Sequence, residues 1–285
     1  MRKGWLINLA LLIVIGLLVT VVVYTLEEDK PKETPPLSEL KATDVKTIRI
    51  QKANQAEIVL KKDKQGFWQM ITPFELPANS FHIDNLLRIL SEQHYKALEI
   101  DTKKLEQLKL APPLVSVKFD DFEVKFGDSV PMAQGQRYVF FNKKVHIILD
   151  RLYYNTLSHD ALRLLFLSPL GNNPKISEIK TPKYHIALKD KKWTVVSGLS
   201  SDISADELSA LIDNWKNASA YRIEPYTEVD TKHALSLPEI EFKFADNKPA
   251  LHLKILSTTP DLVLARPDKG VQYTLPISQV EKLLR

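Results

Sequence analysis

The sequence contains no cysteine. That excludes disulfides, thiolate metal sites, a cysteine nucleophile and an acylated lipoprotein cysteine. Glycine is scarce, eight residues against 17 prolines, and none of the eight builds a P-loop or a dinucleotide fingerprint. The G-x-S-x-G and H-E-x-x-H patterns are missing too. Excess charge of one sign is also missing. Lys and Arg total 39 against 35 Asp and Glu, a net charge of +4. The densest basic cluster, Lys61, Lys62 and Lys64, is broken by Asp63. It reads as a solvated hairpin tip, so no nucleic-acid partner is expected.

The remaining chemistry is thin. Ser177-Glu178-Ile179-Lys180 fits S-x-x-K, but it lies on a predicted strand, where positions i and i+3 face opposite sides. The seven histidines are spread singly. His82 and Asp84 do not share a helix face, and His159 and Asp160 sit in a junction, so ordinary surface roles are expected for them. No catalytic residue, metal ligand or cofactor-binding residue is assigned, and no cofactor is expected.

What the sequence does have is one long apolar run. Residues 5–24 carry no charge, and fourteen of them are Leu, Ile or Val. As a helix they would span about 30 Å, the thickness of a bilayer core. At roughly −0.4 kcal/mol per aliphatic residue, insertion gains on the order of 5 kcal/mol. The anchor residues are Trp5, Leu6, Leu9, Leu12, Ile13, Leu17, Val21 and Tyr24, with the aromatic pair at the two ends. Arg2 and Lys3 precede the run, and Glu27, Glu28 and Asp29 follow it. Positive charge stays cytoplasmic, so the N-terminus is expected inside and the bulk of the chain outside. Residues 27–43 are charged and proline-rich, which predicts a semi-extended spacer.

Beyond the spacer, a pattern recurs at an offset of 125 residues. Trp68 matches Trp193, Leu86 matches Leu211, Leu110 matches Leu235, and Lys118-Phe119 matches Lys243-Phe244. Each copy predicts short strands, an amphipathic helix and an antiparallel meander. Ile83, Leu86, Leu87 and Leu90 form one helical stripe, and Leu208, Leu211, Ile212 and Trp215 the other. Ser204 with Glu207, and Ser278 with Glu281, fit capping boxes. Residues 150–157 predict a further helix. The two equivalent tryptophans are expected in the core rather than as stacking platforms. The predicted fold is α+β: an N-terminal transmembrane helix, then two tandem repeats of mainly antiparallel sheet with packed helices. The divisions are 1–26 for the tip and anchor, 27–43 for the linker, 44–170 and 171–285 for the repeats. The apolar run 162–170 suits a buried inter-repeat strand or a docking edge, with burial favoured.

Gly66-Phe67-Trp68, the segment from Pro73 to Pro77-Ala78, Leu105 to Leu110 with Pro112 and Pro113, and Leu162-Arg163-Leu164-Leu165 occur in an order that carries a resemblance. The chain resembles the bacterial envelope family catalogued as domain of unknown function 4340. The resemblance implies no catalytic residues, and it implies an ABC transporter as a partner. The expectation is therefore a non-catalytic, single-pass protein of the bacterial inner membrane, largely periplasmic, serving as a structural or accessory subunit of an envelope complex. Its expected partners are the lipid bilayer through residues 5–24 and an envelope protein. The alternative is a periplasmic binding module for peptidoglycan, polysaccharide or lipid, with a cleft between the repeats.

Overall fold

The computed structural model describes residues 5, 11–21, 34–100, 104–133, 135–200, 203–227, 237–246 and 248–284. Residues 1–36 and 37–285 are two separate units. In the first, residues 11–21 are helical and exposed throughout. Leu12, Ile13, Leu17 and Val21 of the expected anchor fall in this helix, and Trp5 is helical as well. Leu6, Leu9, Tyr24 and residues 27–33 of the spacer lie outside the described residues. Among the described residues, no helix is long and apolar enough to cross a membrane.

The second unit is mostly β, two antiparallel sheets with few helices, in keeping with the mainly antiparallel sheet expected. Its first sheet contains β1 (Thr47–Lys52), β2 (Ile58–Lys62), β3 (Trp68–Thr72), β4 (Leu76–Pro77), β5 (Tyr95–Leu98), β6 (Val115–Phe119), β7 (Phe122–Ser129), β8 (Gln136–Phe141) and β9 (Lys144–Leu149). Its second contains β10 (Ile176–Lys180), β11 (His185–Lys189), β12 (Lys192–Ser197), β13 (Arg222–Pro225), β14 (Glu239–Phe244), β15 (Leu251–Ser257), β16 (Leu262–Arg266) and β17 (Val271–Leu275). Every pairing is antiparallel. Spatial order runs β4-β3-β2-β1-β6-β7-β8-β9-β5 in one sheet and β12-β11-β10-β14-β15-β16-β17-β13 in the other. Apart from the two-residue β4, the orders correspond strand for strand. Helix α1 (Ser80–Leu87) precedes β5, and α2 (Ala205–Lys216) precedes β13, at matching points in the two connections.

Period-2 alternation produces these strands. Ile48 and Ile50 on β1, and Val115, Val117 and Phe119 on β6, turn to one buried face. Both helices bury the predicted stripe: Ile83, Leu86 and Leu87 on α1, and Leu208, Leu211, Ile212 and Trp215 on α2. Asn79 caps α1, its side chain accepting from the Phe81 N–H. Ser204 and Glu207 close a full capping box on α2.

Two helical expectations fail. Ser278 makes no cap for α3 (Ser278–Leu283); the cap position falls on Ile277, whose side chain cannot accept a hydrogen bond. Residues 150–157 do not form a regular α-helix either. One short turn widens at Tyr153–Leu157 into a π-helical turn. Thr156 and Ser158 donate from their hydroxyls to the carbonyls of Leu152 and Tyr154, a back-bonding habit that disturbs regular helix.

The apolar run 162–170 is sewn into the unit. Its Leu164 carbonyl accepts from the Asn79 N–H at 2.7 Å, and its Phe166 N–H donates to the Pro77 carbonyl at 2.9 Å. Leu165 bridges Ala78 beside β4. On the other side, the Leu167 carbonyl accepts from the Ala220 N–H just before β13. Leu164, Leu165 and Leu170 are buried. The run is a strap holding elements of both sheets.

Candidate functional site

Helix α1 has a polar face opposite its buried stripe. His82, Asn85 and Arg88 follow one another at intervals of three, which puts them along one side of the helix. On an isolated surface helix that face would meet water. Here α1 packs against the Tyr153–Leu157 π turn and the 3₁₀ turn Ala161–Leu164. The polar face therefore becomes the wall of a cavity of about 680 Å³.

Four segments line it. Helix α1 and the 3₁₀ turn Arg88–Ser91 supply Phe81, His82, Asn85, Arg88 and Ser91. The connection to β5 supplies Glu92, Gln93 and His94. The segment around the π turn supplies Arg151, Leu152, Asn155, Thr156 and His159, and the strap supplies Arg163. All fall within residues 44–170, so the cavity belongs to the first sheet's elements rather than to a cleft between repeats.

The lining is cationic. It holds three guanidinium groups and three imidazoles against one carboxylate, Glu92. That carboxylate is buried and engaged. Its Oε1 accepts from the His94 N–H at 2.7 Å and lies 2.9 Å from His94 Nδ1, while Oε2 lies 3.9 Å from Arg151. The exposed guanidinium groups of Arg88 and Arg163 have no carboxylate partner among the described residues. Lys52 adds to the field. It is buried at the end of β1, its Nζ donates to the His159 carbonyl, and burial pulls its pKa down.

Burial and this field act together on two of the imidazoles. Burial holds His82 below the usual histidine value, with Arg163 and His159 pressing the same way. Burial also lowers His159, helped by Arg163 and Lys52 and opposed by Asp160. Both folded values lie below the unfolded value, so their contribution to stability is present above the usual imidazole pKa. It is lost as pH falls through the lowered one. Arg163→Gln removes a cation that opposes protonation of both rings. Each should then titrate at higher pH than in the parent, as followed by NMR of the ring protons; unmoved titrations would show that Arg163 does not act on them.

The sequence kept these histidines apart, and the fold brings His82 and His159 into one cavity with His94. Asp84 does not line it. Among the described residues no group of three or more His, Cys, Asp or Glu could hold a metal ion. Trp68 is buried in the core with Lys62 Nζ 5.1 Å from its ring centroid, and Trp193 packs against the core edge. Ser177 and Lys180 lie on β10, as the strand pattern requires. The three arginines escaped sequence reasoning because isolated exposed arginines carry no signal until folding assembles them.

Arg88 and Arg163, without carboxylate partners among the described residues, leave guanidinium groups in this concavity that offer paired donors to carboxylate or phosphate oxygens. Comparison with curated proteins and with solved structures returned no match. Residues 68–234, more than half of the chain and including every residue of the cavity wall, match the family described as Domain of unknown function (DUF4340), and the chain belongs to that family.

Proposed function

We propose that this chain is a membrane-anchored binding protein of the bacterial envelope that holds an anionic ligand in the cavity beside α1. The observation that carries the reading is the convergence of Arg88, Arg151 and Arg163, two of them without carboxylate partners, on one concave surface. Placement at the inner membrane, with the bulk of the chain periplasmic, is supported by the uncharged run 5–24 and the change of charge sign across it. The role is binding rather than catalysis: the one carboxylate of the wall is already engaged by His94 and Arg151.

The test uses the full chain in mild detergent and calorimetric titration with inorganic phosphate. Saturable binding is expected in the parent, weakened at least about tenfold in Arg88→Gln/Arg163→Gln, as loss of two charge-assisted hydrogen bonds requires. Both side chains are exposed, so the variant keeps its core. Equal phosphate affinity in the two proteins would sink the reading. The anchor has its own check. An alkaline carbonate wash should leave the full chain in the membrane pellet, and recovery in the soluble fraction would refute anchorage.

A further inference from the structure

We infer that the anion is carried on a sugar ring, so that the cavity takes an acidic or phosphorylated saccharide; this rests on the anion-binding reading and narrows it. A bare inorganic anion does not account for the rest of the wall. Phe81, in the first turn of α1, is 65% exposed although Ile83, Leu86 and Leu87 of the same helix are buried. Its ring meets His82 edge to face, with centroids 5.5 Å apart and planes at 73°. That contact uses an edge and leaves ring surface to solvent, the part that a sugar's C–H face can cover.

The neutral polar groups point the same way. Asn85, Gln93 and Asn155 come from three different segments, and none of their side-chain amides has a hydrogen-bond partner among the described residues. Each amide offers both donors and an acceptor, the pairing that a hydroxyl requires. Amides spread over three walls suit hydroxyls distributed around a ring. A nucleobase, by contrast, is read along one edge. At about 680 Å³ the cavity is also in the range of small-ligand sites and far larger than one oxyanion needs.

The full chain in detergent is titrated with inorganic phosphate, glucose 6-phosphate and adenosine monophosphate, alongside the variant Phe81→Ala. Glucose 6-phosphate is expected to bind about tenfold more tightly than phosphate, a gain of the size one stacked ring and its hydroxyl contacts provide. Phe81→Ala should remove most of that gain, bringing the affinity for glucose 6-phosphate down toward that for phosphate measured on the same variant. The sugar assignment is overturned if glucose 6-phosphate binds no better than phosphate, if the adenine nucleotide binds better than the sugar, or if Phe81→Ala leaves the sugar gain intact. Absence of phosphate binding overturns the anion reading itself and the sugar assignment with it, so the two failures are distinct.

Discussion

Asp150→Asn should destabilise the protein by about 3–5 kcal/mol, the cost of stranding one member of a buried ion pair. The pair is Arg137 on β8 and Asp150 at the end of β9, and each side chain is only 6% exposed. Arg137 Nε donates to Asp150 Oδ1 at 2.5 Å, its second guanidinium nitrogen reaches Oδ2 at 3.3 Å, and its third donates to the Gly127 carbonyl at 2.6 Å. Tyr153 lies over the guanidinium at 3.8 Å from the ring centroid. Among the described residues, Asp150 is thus the carboxylate that hydrogen-bonds this guanidinium, which is otherwise held by backbone and an aromatic face. Asparagine keeps the shape and removes the charge. Asp150 also opens the segment that carries Arg151, Asn155 and His159 into the cavity, so phosphate affinity should fall along with stability. Urea unfolding of Asp150→Asn, of Arg137→Met and of the double variant separates the terms. The double variant should be less destabilised than the sum of the single ones, because no lone buried charge remains. A single-variant cost under about 0.5 kcal/mol, the size of an ordinary surface change, would mean that the pair is not buried in solution.

The strands were readable because their signal is local. Alternation at Ile48 and Ile50, or at Val115, Val117 and Phe119, fixes which face is buried within five residues. The matching strand order of the two sheets was readable for the same reason, since similar local patterns recur along the chain. The irregular form of the helix expected at 150–157 has a local cause as well. Apolar spacing in 150–157 suits a helix, but Asp150 is pulled inward to Arg137 and the hydroxyls of Thr156 and Ser158 bond back to carbonyls, leaving a π turn. Strand β4 is two residues long, too short for any period to register. The cavity is a different matter. Arg88 and Arg163 are 75 positions apart in sequence, and each alone looks like a solvated cation. Their meeting depends on the strap pairing with residues 77–79, a backbone contact with no side-chain signature. The candidate site was hidden at that level, in which surfaces are brought face to face.

Trp215→Ala should cost about 3–5 kcal/mol, as truncation of a fully buried large aromatic does. Trp215 is 0% exposed on α2 and meets Phe242 of β14 edge to face, with centroids 4.9 Å apart. It also holds a buried polar relay: its Nε1–H donates to the Tyr184 hydroxyl at 2.7 Å, and that hydroxyl donates to the Leu283 carbonyl at 2.8 Å. The relay ties α2, the residue before β11 and the C-terminal α3 together. Trp215→Phe keeps much of the ring packing and removes the donor. It should cost less, about 1–3 kcal/mol for the lost volume and the weakened relay. If the phenylalanine variant is as unstable as the alanine variant, the hydrogen bond dominates and the packing argument fails. The two large predictions also differ in what they do to binding. Arg137 and Asp150 hold a wall of the cavity, whereas Trp215 packs against the second sheet and is not among the lining residues. Under conditions where Trp215→Phe remains folded, its phosphate affinity should equal the parent's, while Asp150→Asn should bind more weakly at matched folded concentration. A loss of affinity in both would place the determinant in the stability of the unit as a whole rather than in the wall beside α1.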